Sequence, residues 1–216
     1  SRIAKPRHLP DTIANKIMMG EISEHFVPTP TVVVDRMLAE LGNVNPSDRI
    51  LEPSAGCGHI ADRLVKSTAL RANNIEVIEP VDEFRTILAN KGYTLVGRDV
   101  MMQKSGERYD KVIMNPPFDK GKDILHLLKC FSLLKEGGTL VAVLPKNAFI
   151  KPKAKGYEKW VKDWLGNGEK KEINEYLFDI LNRYKSRVID CGKAFKTSDV
   201  PDDVSTKIVV INKERL

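Results

Sequence analysis

The sequence lacks any apolar run approaching the roughly 20 residues that a membrane span requires. Its opening, Ser1-Arg2-Ile3-Ala4-Lys5-Pro6, has no apolar stretch of the signal-peptide kind. Neither a membrane partner nor a secretory route is expected. Cysteine is scarce: Cys57, Cys130 and Cys191 are far apart and odd in number. That spacing supports neither a metal site nor a disulfide framework, and points to a reducing, cytoplasmic setting. The four histidines, His8, His25, His59 and His126, share no spacing, so none is assigned to a metal or to acid–base chemistry. No internal repeat or low-complexity tract appears, which argues against a solenoid or a disordered linker.

What the sequence does contain is a normal globular mix, 42% hydrophobic and 30% charged over 216 residues, long enough to bury a full core. A net charge of +6 and a pI near 9.1 suit a polyanionic partner without requiring one.

Residues 1–25 read as an arm with one short helix around Thr12–Met19, and residues 26–216 as one domain. From about Thr31 helical and strand patterns alternate. Thr31–Leu41 has apolar residues at helical spacing and stops at Gly42. Arg49–Glu52 reads as a short buried strand, followed by a turn over Pro53–Gly58 and a helix through Lys66. Further strands are expected at Ile75–Ile78, Tyr93–Val96, Lys111–Met114, Thr139–Leu144, Arg187–Ile189 and Lys207–Ile211. Helices are expected at Phe84–Lys91 and at Ile124–Leu134, the latter closed by Gly137-Gly138. Strands separated by helices give an α/β fold, a mostly parallel sheet with helices on both faces. The last two strands, joined without a clear helix, suggest one antiparallel strand.

Two motifs carry chemistry. The first is Glu52-Pro53-Ser54-Ala55-Gly56-Cys57-Gly58, between the first strand and its helix. Glycines there let a ligand approach the backbone, and a helix N-terminus offers free N–H groups. Glu52 would repel a pyrophosphate but suits a cation, so the loop fits S-adenosylmethionine, with its sulfonium and ammonium, better than a dinucleotide. Glu79 ends the second strand, where an acid can accept both ribose hydroxyls. Asp99 follows the third and could accept from the adenine amino group of the cofactor. Three acids at the ends of three successive strands line the crevice in which open α/β sheets bind ligands.

The second motif is Asn115-Pro116-Pro117-Phe118, after the strand Lys111–Met114. Two prolines fix an extended turn. The Asn115 side-chain oxygen and the Pro116 carbonyl can then converge on one amino group and bond both of its hydrogens. That draws the nitrogen lone pair out of conjugation and makes it a nucleophile, while Phe118 stacks on the ring. No strong base is needed, because the methylated nitrogen sheds its proton easily.

In order and content these segments resemble the gamma-type amino-group DNA adenine methyltransferases. His25-Phe26-Val27-Pro28-Thr29-Pro30 is similar to the Thr-Pro segment that precedes the loop in that family. Gly192-Lys193-Ala194-Phe195-Lys196 is similar to the family's late segment bearing a second aromatic. The resemblance covers roughly residues 25–150 and 187–212. It implies a Rossmann-like class I methyltransferase with a seven-stranded sheet, using S-adenosylmethionine to methylate N6 of a flipped adenine in DNA. It also implies a cytoplasmic protein of bacterial or phage origin. Phe26, Thr29, Glu52, Ser54 and Gly56 would contact the methionyl part of the cofactor, with Pro53, Ala55 and Gly58 completing its loop. Glu79 would hold the ribose, Asp99 the adenine, and Phe195 would press on the flipped base. One departure is clear: the family's separate target-recognition domain has no counterpart after the strand ending at Ile211. Selectivity would then come from inserted loops, from the arm, or from a partner such as a specificity subunit or a second copy.

The segment from about 146 to 185 reads as a basic insertion. Residues 146–171 hold eight lysines against Glu158, Asp163 and Glu169, nearly the whole surplus charge of the chain. Lysine–phosphate contacts give affinity without reading sequence, and Lys146, Lys151, Lys153 and Lys155 are the candidates. Tyr157, Trp160, Val161, Trp164 and Leu165 recur at helical spacing and pack that helix on the body. Three other readings stand beside DNA methylation: adenine methylation in RNA, a protein-glutamine methyltransferase, and a non-catalytic nucleic-acid-binding subunit of the same fold.

Overall fold

The computed structural model describes residues 28–118, 121–150, 172–192 and 205–216. The Thr12–Met19 helix, Phe26, the lysines 151, 153 and 155, the aromatic stripe 157–165 and Phe195 lie outside the described residues.

Seven strands form one sheet in the order β3-β2-β1-β4-β5-β7-β6. They are β1 (Ile50–Glu52), β2 (Ile75–Ile78), β3 (Thr94–Gly97), β4 (Tyr109–Met114), β5 (Leu134–Pro145), β6 (Tyr184–Gly192) and β7 (Thr206–Arg215). The neighbours from β3 through β5 pair parallel, whereas β7 runs antiparallel to both β5 and β6. The order and directions are those of a Rossmann-like sheet with one antiparallel strand, as the resemblance implies.

Central strands are buried on both faces, so they read as apolar runs rather than alternating ones. Side-chain alternation sorts them into two cores. Leu51, Val112, Met114, Leu140, Ala142, Leu144, Val209 and Ile211 point to one core. Ile50, Ile75, Val77, Ile113, Val141, Val143, Ile208 and Val210 point to the other. The second face is covered by α1 (Thr31–Leu41) and α2 (His59–Ser67), with Leu88 of α3 (Asp82–Asn90) reaching into it. The first face is covered by α4 (Lys122–Leu133) and α5 (Ile173–Arg183). Each fully buried Leu, Ile or Val contributes about 1.5–3 kcal/mol, so a one-residue register slip would exchange the two cores at great cost.

The strands β5, β6 and β7 run longer than expected, and two further differences have a clear physical reason. The helix expected to run to Leu134 and close at Gly137-Gly138 ends at Leu133, and the chain enters β5 at once because Leu134 pairs with Tyr109. Lys213 of β7 makes that abrupt end tolerable. Its buried Nζ donates to the carbonyls of Phe131 (3.1 Å) and Leu134 (2.7 Å) and to Glu107 Oε1 (2.8 Å). Helix ends leave carbonyls without intrahelical partners, and a cation satisfies them well. The second difference is α5. The sequence reads as a basic insertion to about 185, yet Ile173, Tyr176, Leu177 and Ile180 recur at helical spacing and are buried in the core. Among the described residues, no helix is long and apolar enough to cross a membrane.

Candidate functional site

Strand order reverses between β1 and β4, both of which lie in the middle of the sheet. Open α/β sheets bind ligands outside the carboxyl ends of the strands at such a switch point. The sequence-predicted residues collect there. Glu52 is the last residue of β1, Glu79 follows β2, Asp99 follows β3, Asn115 follows β4 and Lys146 follows β5.

Glu52 is 1% exposed, and its Oε2 has no hydrogen-bond partner. Burial drives its carboxyl well above the usual carboxylate range, against the pull of the Ala61 backbone N–H. Nearby Asp62 and Glu79 push the same way as burial, and Lys91 opposes them. The Ser54 hydroxyl is also buried without a partner.

Glu79 is buried and sews the glycine loop to β2. Its Oε2 accepts from Gly56 N (2.7 Å) and its Oε1 from Val81 N (3.0 Å). Burial raises its carboxyl above the ordinary value, while those two N–H groups and Arg85 hold the rise in check. Each carboxylate oxygen has further lone pairs beyond the one bonded. Ala55 N donates to Ile78 O (3.0 Å), a second stitch. Gly56 adopts φ 55° and Gly58 φ 91°, the left-handed region that glycine enters freely. At Gly58 a Cβ would also sit 3.1 Å from Leu88 Cδ2, so this glycine serves close packing of loop on helix.

Beneath the loop is a charged network that sequence reasoning missed. Lys91 Nζ donates to Cys57 O (2.8 Å) and to Asp62 Oδ2 (2.6 Å), and Tyr93 Oη donates to Asp62 Oδ1 (2.5 Å). Asp62 lies in the first turn of α2, where the helix dipole favours an acid. That position is the one signal that could have drawn attention to it. Burial also pushes the Cys57 thiol up to about 12, which leaves it protonated and unreactive.

Asp99 is exposed. Its Oδ1 caps the short 3₁₀ turn Val100–Met102 by accepting from Met101 N (2.9 Å). Asn115 is half-buried, and its Nδ2 donates to Thr29 Oγ1 at 2.8 Å. Thr29, placed by resemblance among the cofactor contacts, thus meets the second motif. Pro53 and Pro116 are buried, Pro117 is exposed and Phe118 is 39% exposed at the rim. Lys146 is exposed, and its backbone N–H donates to Ser205 O (2.9 Å), which sets the end of β5 against the start of β7. An open cleft lined by Leu38, Gly42, Leu64 and Thr68 lies at the far ends of α1 and α2. That is the opposite rim of the sheet, away from these groups.

The model of the family described as "Methyltransferase small domain" matches residues 34–176. The chain belongs to the methyltransferase small domain family. Solved structures agree on the fold of this methyltransferase. Geranyl diphosphate C-methyltransferase from Streptomyces coelicolor A3(2), solved with Mg2+, geranyl diphosphate and S-adenosyl-L-homocysteine, superposes with a TM-score of 0.58. It is 12% identical, over 99% of this chain and 88% of that one. A putative sarcosine dimethylglycine methyltransferase from Galdieria sulphuraria gives a TM-score of 0.57 at 12% identity, over 85% of this chain and 84% of that one. Phosphoethanolamine N-methyltransferase 2 from Haemonchus contortus, with S-adenosyl-L-methionine, gives 0.59 at 13% identity, over 89% of this chain and 55% of that one. At such identities the likeness is one of architecture, and the substrates of those enzymes do not carry over.

Proposed function

We propose that this methyltransferase transfers the methyl group of S-adenosylmethionine to the N6 amino group of adenine in DNA. The observation that carries the reading is the placement of Asn115-Pro116-Pro117-Phe118. The half-buried Asn115 amide stands at the carboxyl end of β4, beside the crevice that Glu52 and Glu79 line.

The residues of the crevice fit the cofactor. A buried Glu52 with an unpartnered oxygen, next to an unpartnered Ser54 hydroxyl, is an environment short of a cation and a polar group. Glu52 would neutralise positive charge there, and Glu79 would accept the ribose hydroxyls with the lone pairs its loop contacts leave over. Asp99, with one oxygen on Met101 N, would accept from the adenine amino group. Bound in that crevice, S-adenosylmethionine supplies an electrophilic methyl group.

The chain's own work is on the nucleophile. Asn115 Oδ1 and the Pro116 carbonyl accept the two amino hydrogens, which localises the nitrogen lone pair and aims it. Two prolines in succession hold the carbonyl where the turn puts it. Phe118 offers a ring to a base taken out of the stack, since the N6 group lies on the pairing edge and is reached by extrusion. Phe195 and the lysines at 151, 153 and 155 complete the proposed DNA side, the aromatic on the base and the lysines, with Lys146, on phosphates.

The test is transfer of labelled methyl from S-adenosylmethionine to duplex DNA, single-stranded DNA, RNA and a glutamine-containing peptide. DNA labelled at adenine N6 is expected, with Asn115→Ala reducing transfer below detection and leaving cofactor affinity within about twofold. Labelling of RNA alone, or of the peptide alone, would replace the substrate. Cofactor binding lost in Asn115→Ala would make Asn115 a structural residue.

A further inference from the structure

We infer that Thr29 is a positioning residue for the target side of the site: its hydroxyl oxygen holds the Asn115 amide so that Oδ1, rather than Nδ2, faces the incoming amino group. The inference rests on the proposed role of Asn115 as acceptor.

An asparagine side chain is two-fold ambiguous. Rotation of its terminal torsion by half a turn exchanges acceptor for donor at nearly constant shape. For a residue that must accept from an amino group, the wrong orientation opposes two donors and abolishes the polarisation of the nucleophile. The structure holds one of the two orientations, with Asn115 Nδ2 donating to Thr29 Oγ1 at 2.8 Å; the contact ties the amide to a fixed point, with Nδ2 toward Thr29 and Oδ1 away from it. With Nδ2 so engaged, Oδ1 lies on the other side of the amide, and among the described residues nothing donates to it.

Thr29 is built to hold still. It is 7% exposed and stands between Pro28 and Pro30. A residue before proline is confined to extended backbone, and Pro30 begins α1 with its carbonyl accepting from both Val33 N and Val34 N (3.0 Å each). α1 is in turn anchored by buried Val33, Val34, Met37 and Leu41. The hydroxyl is thus referenced to the sheet through a packed helix, and it reaches an amide 86 residues later in the chain. Stability alone does not demand the bond, because a half-buried amide can be satisfied by water. A fixed amide position is what the bond adds.

The experiment uses the full chain with Thr29→Val, Thr29→Ser and Thr29→Ala. Valine keeps the shape and loses the acceptor, serine keeps the acceptor, and alanine guards against a packing defect peculiar to valine. Three quantities are read: single-turnover methyl transfer to an adenine-containing duplex at saturating cofactor, calorimetric affinity for S-adenosylmethionine, and the Asn115 side-chain amide signals in ¹H–¹⁵N spectra, assigned against Asn115→Ala. Loss of one positioning contact is expected to slow transfer about 10- to 100-fold in the valine and alanine variants. Cofactor affinity should stay within about twofold, and serine should restore most of the rate. The Asn115 Nδ2 proton should be shifted and protected in the parent and serine proteins and lose both properties in the other two. A valine variant that transfers as fast as the parent overturns the inference. So does a loss of cofactor affinity that accounts for the loss of rate, which would return Thr29 to the cofactor side. If the parent protein methylates no adenine, the substrate reading fails separately, and the Asn115 amide signals still decide whether Thr29 holds that group.

Discussion

Glu52→Gln separates what the buried acid costs the empty protein from what it gives to a bound cation. Gln is nearly isosteric and neutral. Glu52 is 1% exposed with Oε2 unpartnered, so its ionised form is poorly compensated in the folded chain. Burial raises its carboxyl above the unfolded value of about 4.3. The folded state therefore binds the proton more tightly than the unfolded state does. Stability from this group is full below the unfolded value and is lost as pH rises through the raised folded value. Parent and Gln proteins should differ little at about pH 4, with Gln gaining relative stability as pH rises toward about 8. A poorly compensated buried group costs about 1–3 kcal/mol, which is roughly 3–10 °C in Tm for a domain of this size. Cofactor binding should move the opposite way. A charge-assisted contact worth about 1.5–3 kcal/mol is lost, or about 10- to 150-fold in Kd. Thermal melts across that pH range and calorimetric titration with S-adenosylmethionine measure both. Calorimetry in buffers of different ionisation enthalpy should also show proton release on binding to the parent and none to Gln. A pH-independent stability difference together with unchanged Kd would refute the reasoning.

Phe118→Ala should leave Tm nearly unchanged, because the ring is already 39% exposed. It should lower methyl transfer by the value of one base–aromatic stack, about 1–3 kcal/mol, and more on a paired adenine than on a mismatched one. Equal loss on both, measured at saturating cofactor, would remove Phe118 from base extrusion. Lys213→Met strands the Phe131 and Leu134 carbonyls, while Glu107, at the surface, turns to water. It should cost about 2–3 kcal/mol, seen as a Tm lower by roughly 5–10 °C, with cofactor affinity at room temperature unchanged. A Tm within a degree of the parent would show that another group takes over those carbonyls.

The strands were legible because the centre of the sheet is covered on both sides. Leu140–Leu144 is buried at every position, and such a run has few other interpretations between turn signals. The parts that escaped are those decided by distant partners. Gly137-Gly138 looks like a helix stop, yet the helix ends earlier because Tyr109 claims Leu134. α5 was hidden by its lysine-rich neighbour, and its buried face includes the polar Asn174. At the site, Glu52, Glu79, Asp99 and Asn115 could be found from their places at strand ends, since topology alone brings those ends together. The Lys91–Asp62–Tyr93 network joins residues about 30 apart, and the Thr29–Asn115 bond joins residues 86 apart. No local pattern encodes such meetings.

The position of β7 bears on the order of assembly during synthesis. Among the described residues it comes after β6 in the chain but sits between β5 and β6. As the polypeptide leaves the ribosome, the parallel half can form while one long apolar edge of β5 stands open, and β6 has nothing to pair with. Unpaired edges of that kind invite association with other chains. The same late strand brings Lys213 to the end of α4, so closure of the sheet and capping of that helix are a single event. A nascent chain is therefore exposed to mispairing until β7 has emerged.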